Sequence, residues 1–306
     1  MSPQDPLEES RRRAFAVAYR MLGSVSEAED VAQETLLRLH RATGEGRRIE
    51  SPAAFVATVA TRLAIDELRS ARVRREQYVG EWLPEPIVTR GEDDPAAHAE
   101  LTDSLSFAFL RLLETLSPEQ RAVLLLRDVF DYPYDRVAEI VGKSEPAVRQ
   151  LGARARRHVE AGRPRFEATR EQRDRLADEF FAAFGDGDLE GLEHLLAGDV
   201  QLRGDGGGKV PALARMLSGR SRVARTLVNW RRAGQRSGGF TIERVLVNGQ
   251  PGALTYDPAE RLINVTALDI AGGRIEAVSS IVNPDKLERL GPVADMRALL
   301  RGPSHP

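Results

Sequence analysis

Two all-α domains, the second with a helix-turn-helix, followed by a C-terminal α+β domain form the multidomain architecture that this sequence predicts. Three observations predict it. Apolar residues recur at three- and four-residue intervals as far as residue 162. An acidic stretch carrying Pro84, Pro86 and Pro95 interrupts that helical part. Segments rich in β-branched residues appear only beyond residue 168. A length of 306 residues agrees, since an average domain takes up only ~150.

The first domain spans 1–78. Phe15, Ala18, Tyr19 and Leu22 share one helix face, as do Val31, Thr35, Leu36 and Leu39. A third helix runs from Pro52 to Arg75, with Ser51 as N-cap, Pro52 in the first turn, and Phe55, Val59, Leu63 and Leu68 along its apolar stripe. That stripe gives way to Arg62, Asp66, Arg69, Arg72, Arg74 and Arg75. Complementarity to the helix dipole explains terminal arginines as well as a nucleic-acid contact does. Residues 79–106 hold seven acids and one base and read as a tether. Trp82 is unusual there, because an indole needs an apolar seat and a partner for its N–H; it is expected to pack on a folded domain.

The second domain spans 107–163. Ala138 and Gly142 lie four apart, with Val148 six later and Leu151 three after that. This is helix-turn-helix spacing: Ala138 lets two helices approach, Gly142 permits the turn, Ser144 caps the second helix, and Val137, Val141, Val148 and Leu151 seal the core. The second helix projects Arg149, Gln150, Arg154, Arg156 and Arg157, which suit base edges and phosphates on one element. An ordinary helical hairpin with a solvated arginine face is the competing reading.

The third domain spans 168–290. Helices are expected over 169–184 and 188–196, then strands over 200–203, 241–247, 254–256, 262–270 and 274–282. Asn248-Gly249, Pro251-Gly252 and Gly272-Gly273 read as turns of an antiparallel sheet. Gly206–Gly208 between Asp205 and Lys209 reads as a flexible loop able to offer backbone N–H groups, but it lacks P-loop spacing. Asn283 and Pro284 begin a short helix. The tail, 291–306, is expected to be loosely held.

The overall charge of -2 does not describe a polybasic nucleic-acid binder, and the contrast is local: 144–165 carries six arginines against two acids. With no cysteine, disulfide frameworks, thiolate metal sites and cysteine nucleophiles are excluded. The residues from Met1 to Arg13 lack the apolar core of a signal peptide, and no apolar run reaches the ~18 residues of a membrane span. A soluble, cytoplasmic chain with no membrane partner is expected. His40, His98, His158, His194 and His305 are scattered, so no metal site and no cofactor are expected.

Three ordered motifs resemble those of extracytoplasmic-function sigma factors: Ala28 to Thr35, Ser51 to Arg69, and Leu116 to Arg121 leading into the helix-turn-helix. Trp82-Leu83-Pro84-Glu85-Pro86, Asp205-Gly206-Gly207-Gly208-Lys209 and Asn283-Pro284-Asp285-Lys286-Leu287 resemble motifs of members fused to a SnoaL-like domain, a cone of the nuclear-transport-factor-2-like fold. The resemblance implies a sigma factor that directs promoter-specific initiation by bacterial RNA polymerase, and not an enzyme. It implies that Asp30, Gln33, Glu34 and Leu37 dock on core polymerase. Arg62, Asp66, Arg69, Arg72, Arg74 and Arg75 would engage the -10 element, and Ser144, Glu145, Arg149, Gln150, Arg154, Arg156 and Arg157 the -35 element of promoter DNA. Trp82, Pro84, Glu85, Asp205, Gly206, Gly207, Gly208, Lys209, Asn283, Pro284, Asp285 and Lys286 would serve regulation in cis, with the added domain contacting the first domain and the linker. Two alternatives stay open: a small ligand sensed in the cone, and a fused cyclase- or isomerase-like enzyme using His194, Asp205, Asp269 or Asp285.

Overall fold

The computed structural model describes residues 6–76, 78–90, 105–162 and 169–301, without the side chains of 71–76, 161–162 and 300–301. The chain forms two compact units, one of Met1–Gln77 with Phe109–Arg163, the other of Tyr78–Ala108 with Pro164–Pro306.

In the first unit, α1 (Pro6–Leu22), α2 (Val25–Gly44) and α3 (Pro52–Glu76) pack together. Alanines make this packing close: Ala14, Ala18, Ala28, Ala32, Ala57, Ala60 and Ala64 are all buried. The expected cap is present, with Ser51 Oγ accepting from Ala54 N at 3.2 Å. After α4 (Phe107–Glu114) comes α5 (Pro118–Leu124), opened by a Ser117–Gln120 capping box and continued by a π-helical turn, Leu125–Val129. The helix-turn-helix follows as α6 (Tyr134–Val141) and α7 (Glu145–Gly162), joined through Gly142 in the left-handed conformation at φ 69°. Val137, Ala138, Ile140 and Val148 form its core with Val123 and Leu126, while Val141 and Leu151 are half-buried.

The described residues of the second unit form one seven-stranded sheet. Helix α8 (Arg170–Asp186), with a Thr169–Gln172 capping box, and α9 (Leu189–Leu195), capped by Asp188, precede most of it. In the order β1 (Val88–Thr89), β4 (Thr241–Val247), β5 (Gln250–Tyr256), β6 (Leu262–Ala271), β7 (Arg274–Ile281), β2 (Leu196–Asp205) and β3 (Leu217–Ser218), neighbouring strands are hydrogen-bonded. Helix α10 (Arg220–Arg236) lies between β3 and β4 in sequence. The chain ends with α11 (Pro284–Leu287), a 3-10 turn and α12 (Met296–Arg301).

Four expectations need correction. The sheet is mixed, because β2 runs parallel to β7. Helix α10 adds an element that the strand-rich reading of this stretch omitted. Pro251-Gly252 is not a turn but lies inside β5, where a Cβ at Gly252 would sit 2.4 Å from the Thr266 carbonyl oxygen; close strand approach, not a bend, requires that glycine. Residues 292–299 of the expected loose tail are tied down, with Leu262 N donating to Pro292 O and Ser237 Oγ to Leu299 O, both at 2.7 Å.

Both faces of the sheet are apolar. Ala253, Leu268, Ile270, Ile275 and Val278 join one cluster with α8, α9 and α10 residues such as Phe180, Leu192 and Leu227. Val245, Val247, Leu254, Val265, Ala267 and Ile281 join another with Leu83, Phe107 and Leu287. Gly252→Ala is expected to lower the stability of the second unit by about 1–3 kcal/mol through overpacking; thermal unfolding with an unchanged midpoint would contradict this strand packing.

Candidate functional site

Tyr78, expected in the first domain, and residues 79–90, expected to belong to the linker, are built into the second unit. Asp205, fully buried at the end of β2, organises them. Its Oδ1 accepts from the Tyr78 hydroxyl at 2.5 Å and from Gly207 N at 3.0 Å; its Oδ2 accepts from Leu83 N at 2.9 Å and from Lys286 Nζ at 2.6 Å. Lys286 also donates to Leu83 O and stands 4.2 Å from the Trp82 ring centroid, a cation–π distance. Asn283 Nδ2 donates to the Tyr78 oxygen at 2.9 Å, while Asn283 Oδ1 accepts from Asp285 N at 3.2 Å and so caps α11. Burial, then the bond to Asp205, pushes the Tyr78 phenol well above its ordinary range.

The glycine loop, read from the sequence as flexible and able to offer backbone N–H groups, is closely packed. Gly207 and Gly208 hold φ of 62° and 71°, and a Cβ on them would strike Asn283 at 2.5 Å and Val79 at 2.8 Å. Gly207 leaves room for Asn283 and Gly208 for Val79 of the linker. Lys209 pairs with Asp285 at the surface, 2.6 Å apart, while Pro84 and Glu85 are buried.

Further along, Ile87 N donates to Asn248 Oδ1 at 2.9 Å and Asn248 Nδ2 to Leu105 O at 2.9 Å, so one side chain holds the linker on both sides of residues 91–104. Val88 and Thr89 pair with Val247 and Leu246, and Arg203 bonds Glu81. Sequence reasoning missed Tyr78, Arg203 and Asn248 as holders of the linker. Asn248 had a signal, but its Asn-Gly context spoke only of a hairpin.

On the first unit, Asp30, Gln33 and Leu37 are exposed along one face of α2, Leu37 at 43 %. Glu34 lies on the same face and bonds Arg38 at 2.8 Å. On α3, Arg62 donates to the carbonyls of Ile140 at 3.0 Å and Glu139 at 2.8 Å near the end of α6. Arg69 bonds Glu119 at 2.7 Å and Asp66 at 3.4 Å. The bond from Arg69 holds the Glu119 carboxyl below its usual range. The side chains of Arg72, Arg74 and Arg75 lie outside the described residues. Buried Arg121 joins the two helical groups, donating to Leu113 O at 2.9 Å and to Met21 O.

On α7, Arg149, Gln150, Arg154 and Arg157 are exposed. Arg149 bonds Glu145 at 2.6 Å and lies 4.4 Å from the Tyr134 ring centroid; Arg156 bonds Asp128 at 2.6 and 2.8 Å. Ser144 precedes the helix, and its carbonyl accepts from Val148 N at 3.0 Å.

A Sigma-70 region 2 family model matches residues 7–74 and a Sigma-70 region 4 model matches 106–159. Over 301 residues, 95 % of each chain, the sequence is 37 % identical to the ECF RNA polymerase sigma factor SigJ of Mycobacterium tuberculosis. The chain belongs to the extracytoplasmic-function sigma factors. The probable ECF RNA polymerase sigma factor SigI of the same species is 31 % identical over 95 % of this chain and 98 % of its own. The crystal structure of SigJ matches with a TM-score of 0.76 at 34 % identity, covering 94 % of this chain and 98 % of that one. This sigma factor thus couples helical regions 2 and 4 to a C-terminal mixed-sheet domain, consistent with the SnoaL-like reading. No helix among the described residues is long and apolar enough to cross a membrane.

Lys286→Met is expected to destabilise the second unit by about 3–5 kcal/mol, because Asp205 would stay buried without its cation. Asp205→Asn combined with Lys286→Met should recover part of that loss. Urea unfolding checks both; a single variant as stable as the parent would contradict the clamp.

Proposed function

We propose that this sigma factor is regulated in cis through its linker. The observation that carries the reading is the seating of Tyr78, Trp82, Leu83 and Ile87 on the C-terminal domain. As a free coil, residues 78–108 would let their ends wander over about 30 Å. Held at residues 78–90 and at Leu105, the linker gives the region 2 and region 4 helices a restricted set of separations.

Region 2 and region 4 bear on the same question. Arg62 and Arg69, two of the five arginines expected at the -10 element, are engaged with Ile140, Glu139 and Glu119 of the region 4 part. They cannot contact DNA phosphates while so engaged. The resting chain is therefore closed, and initiation requires region 4 to leave α3. The α2 face of Asp30, Gln33, Glu34 and Leu37 stays exposed and takes the core polymerase in the cytoplasm. Helix α7 then reads the -35 duplex through Arg149, Gln150 and Arg154 once polymerase binding has separated the modules. An equilibrium of this kind shifts only by the difference in affinity for its two states.

Catalysis finds little support in the C-terminal domain. Asp205 is committed to the linker and Asp285 to Lys209, and neither they nor Asp269 or His194 line its cavity. Sensing of a small ligand is the second reading, and that cavity favours it.

Transcription with core polymerase on a cognate promoter tests the restraint. Intact Lys286→Met should bind polymerase as the parent does but change promoter-specific initiation at least threefold; unaltered initiation would contradict regulation through the linker. Glu119→Gln, which removes the ion pair from Arg69 to region 4 without touching a proposed DNA contact, should raise promoter opening by up to about fivefold, as an exposed ion pair allows. A decrease in opening would overturn the closed resting state.

A further inference from the structure

The second unit holds a partly open cavity of about 340 Å3, set between α8, α10 and the sheet, with Met296 and Leu299 of α12 contributing to its wall. Phe180, Phe184, Trp230 and Phe240 give it an aromatic lining. Among the lining residues there is no Asp, Glu, Lys, Arg or His. An ionic ligand would therefore lose its hydration with no counter-charge in the wall.

One wall is polar. Ser280 Oγ donates to Asn264 Oδ1 at 3.1 Å, and Asn264 Nδ2 donates to Thr266 Oγ1 at 2.9 Å; all three residues line the cavity. An amide has two N–H donors and two acceptor lone pairs, and each hydroxyl both donates and accepts. The trio's mutual bonds leave donors and acceptors to spare. Such a wall recognises one neutral polar group on an otherwise apolar body.

We propose that this cavity binds an uncharged aromatic or alicyclic small molecule whose single hydroxyl, carbonyl or amide group meets Asn264, Thr266 and Ser280. The site also has a route to the linker. Gly204 of β2 lines the cavity and precedes Asp205; Val282 lines it and precedes Asn283. Val282 N donates to Asp205 O at 2.9 Å, tying the two strand ends together. A bound molecule thus presses on the backbone that carries both linker-holding side chains. The effect on transcription rests on the cis-regulatory reading; the binding itself does not.

Three probes of matched shape test the chemistry on the full-length protein: 4-phenylcyclohexanol, phenylcyclohexane and 4-phenylcyclohexanecarboxylate. In a Trp82→Phe background, Trp230 emission reports on the cavity, and calorimetry on the parent chain gives an independent reading. The alcohol should bind saturably at one site, and the hydrocarbon and the carboxylate at least tenfold more weakly. Ala233→Phe, which fills the cavity, should abolish binding while the chain stays folded by circular dichroism. Asn264→Leu should bring alcohol and hydrocarbon within threefold of each other. Absence of binding by all three, tightest binding by the carboxylate, or undiminished binding to Ala233→Phe would overturn the site. If the alcohol binds and leaves both Trp82 emission, read in a Trp230→Phe variant that still binds it by calorimetry, and promoter-specific initiation of the parent unchanged, the route to the linker is overturned and the site stands. A Lys286→Met variant that leaves initiation unaltered would sink the regulatory reading alone.

Discussion

A sheet that is apolar on both faces must be covered on both, and this requirement shapes the C-terminal half of the chain. Helices α8, α9 and α10 cover one face. The other is covered in part by Leu83 and Phe107, which come from either end of the linker and are buried to 0 % and 1 % exposure. Complete burial of two such side chains is worth about 1.5–3 kcal/mol each. That apolar term favours docking without fixing its register. Register comes from Asp205, whose four donors include a linker amide, a linker hydroxyl and the ammonium of Lys286.

The hydrogen bonds and the charges solve one another's problem. A carboxylate as buried as Asp205 is tolerable only with full pairing, and the backbone groups of Leu83 need partners once the side chain beside them is buried. Lys286 serves both, bonding the carboxylate and the Leu83 carbonyl. The same economy appears at Asn248, where one amide bonds the linker on both sides of residues 91–104. Residues 78–90, whose composition reads as a connector, therefore form an edge of a folded domain.

Much of this was legible in the sequence because local rules sufficed. Caps at Ser51 and Asn283, left-handed Gly142, and the Asn248-Gly249 and Gly272-Gly273 hairpins all express preferences settled within a few residues. What escaped depended on contacts distant in sequence. Acidic composition and prolines at 84 and 86 resemble a solvated tether, yet those prolines are buried once a sheet lies beneath them. The three glycines after Asp205 suggest mobility until Val79 and Asn283 occupy the space of their missing side chains. Arg62 and Arg69 read as DNA contacts, and only the tertiary structure reveals carbonyl and carboxylate partners in region 4. The parallel pairing of β2 with β7 likewise has no short-range signature, since the strands lie far apart in the chain.

Amide hydrogen exchange of the intact, unliganded chain tests most directly whether the linker belongs to the folded domain. The account predicts that Leu83 N–H and Ile87 N–H exchange as slowly as the central amides of β4 and β5, opening only when the domain itself opens. Exchange of those two amides at the rate of an unstructured chain, with the sheet still protected, would contradict it.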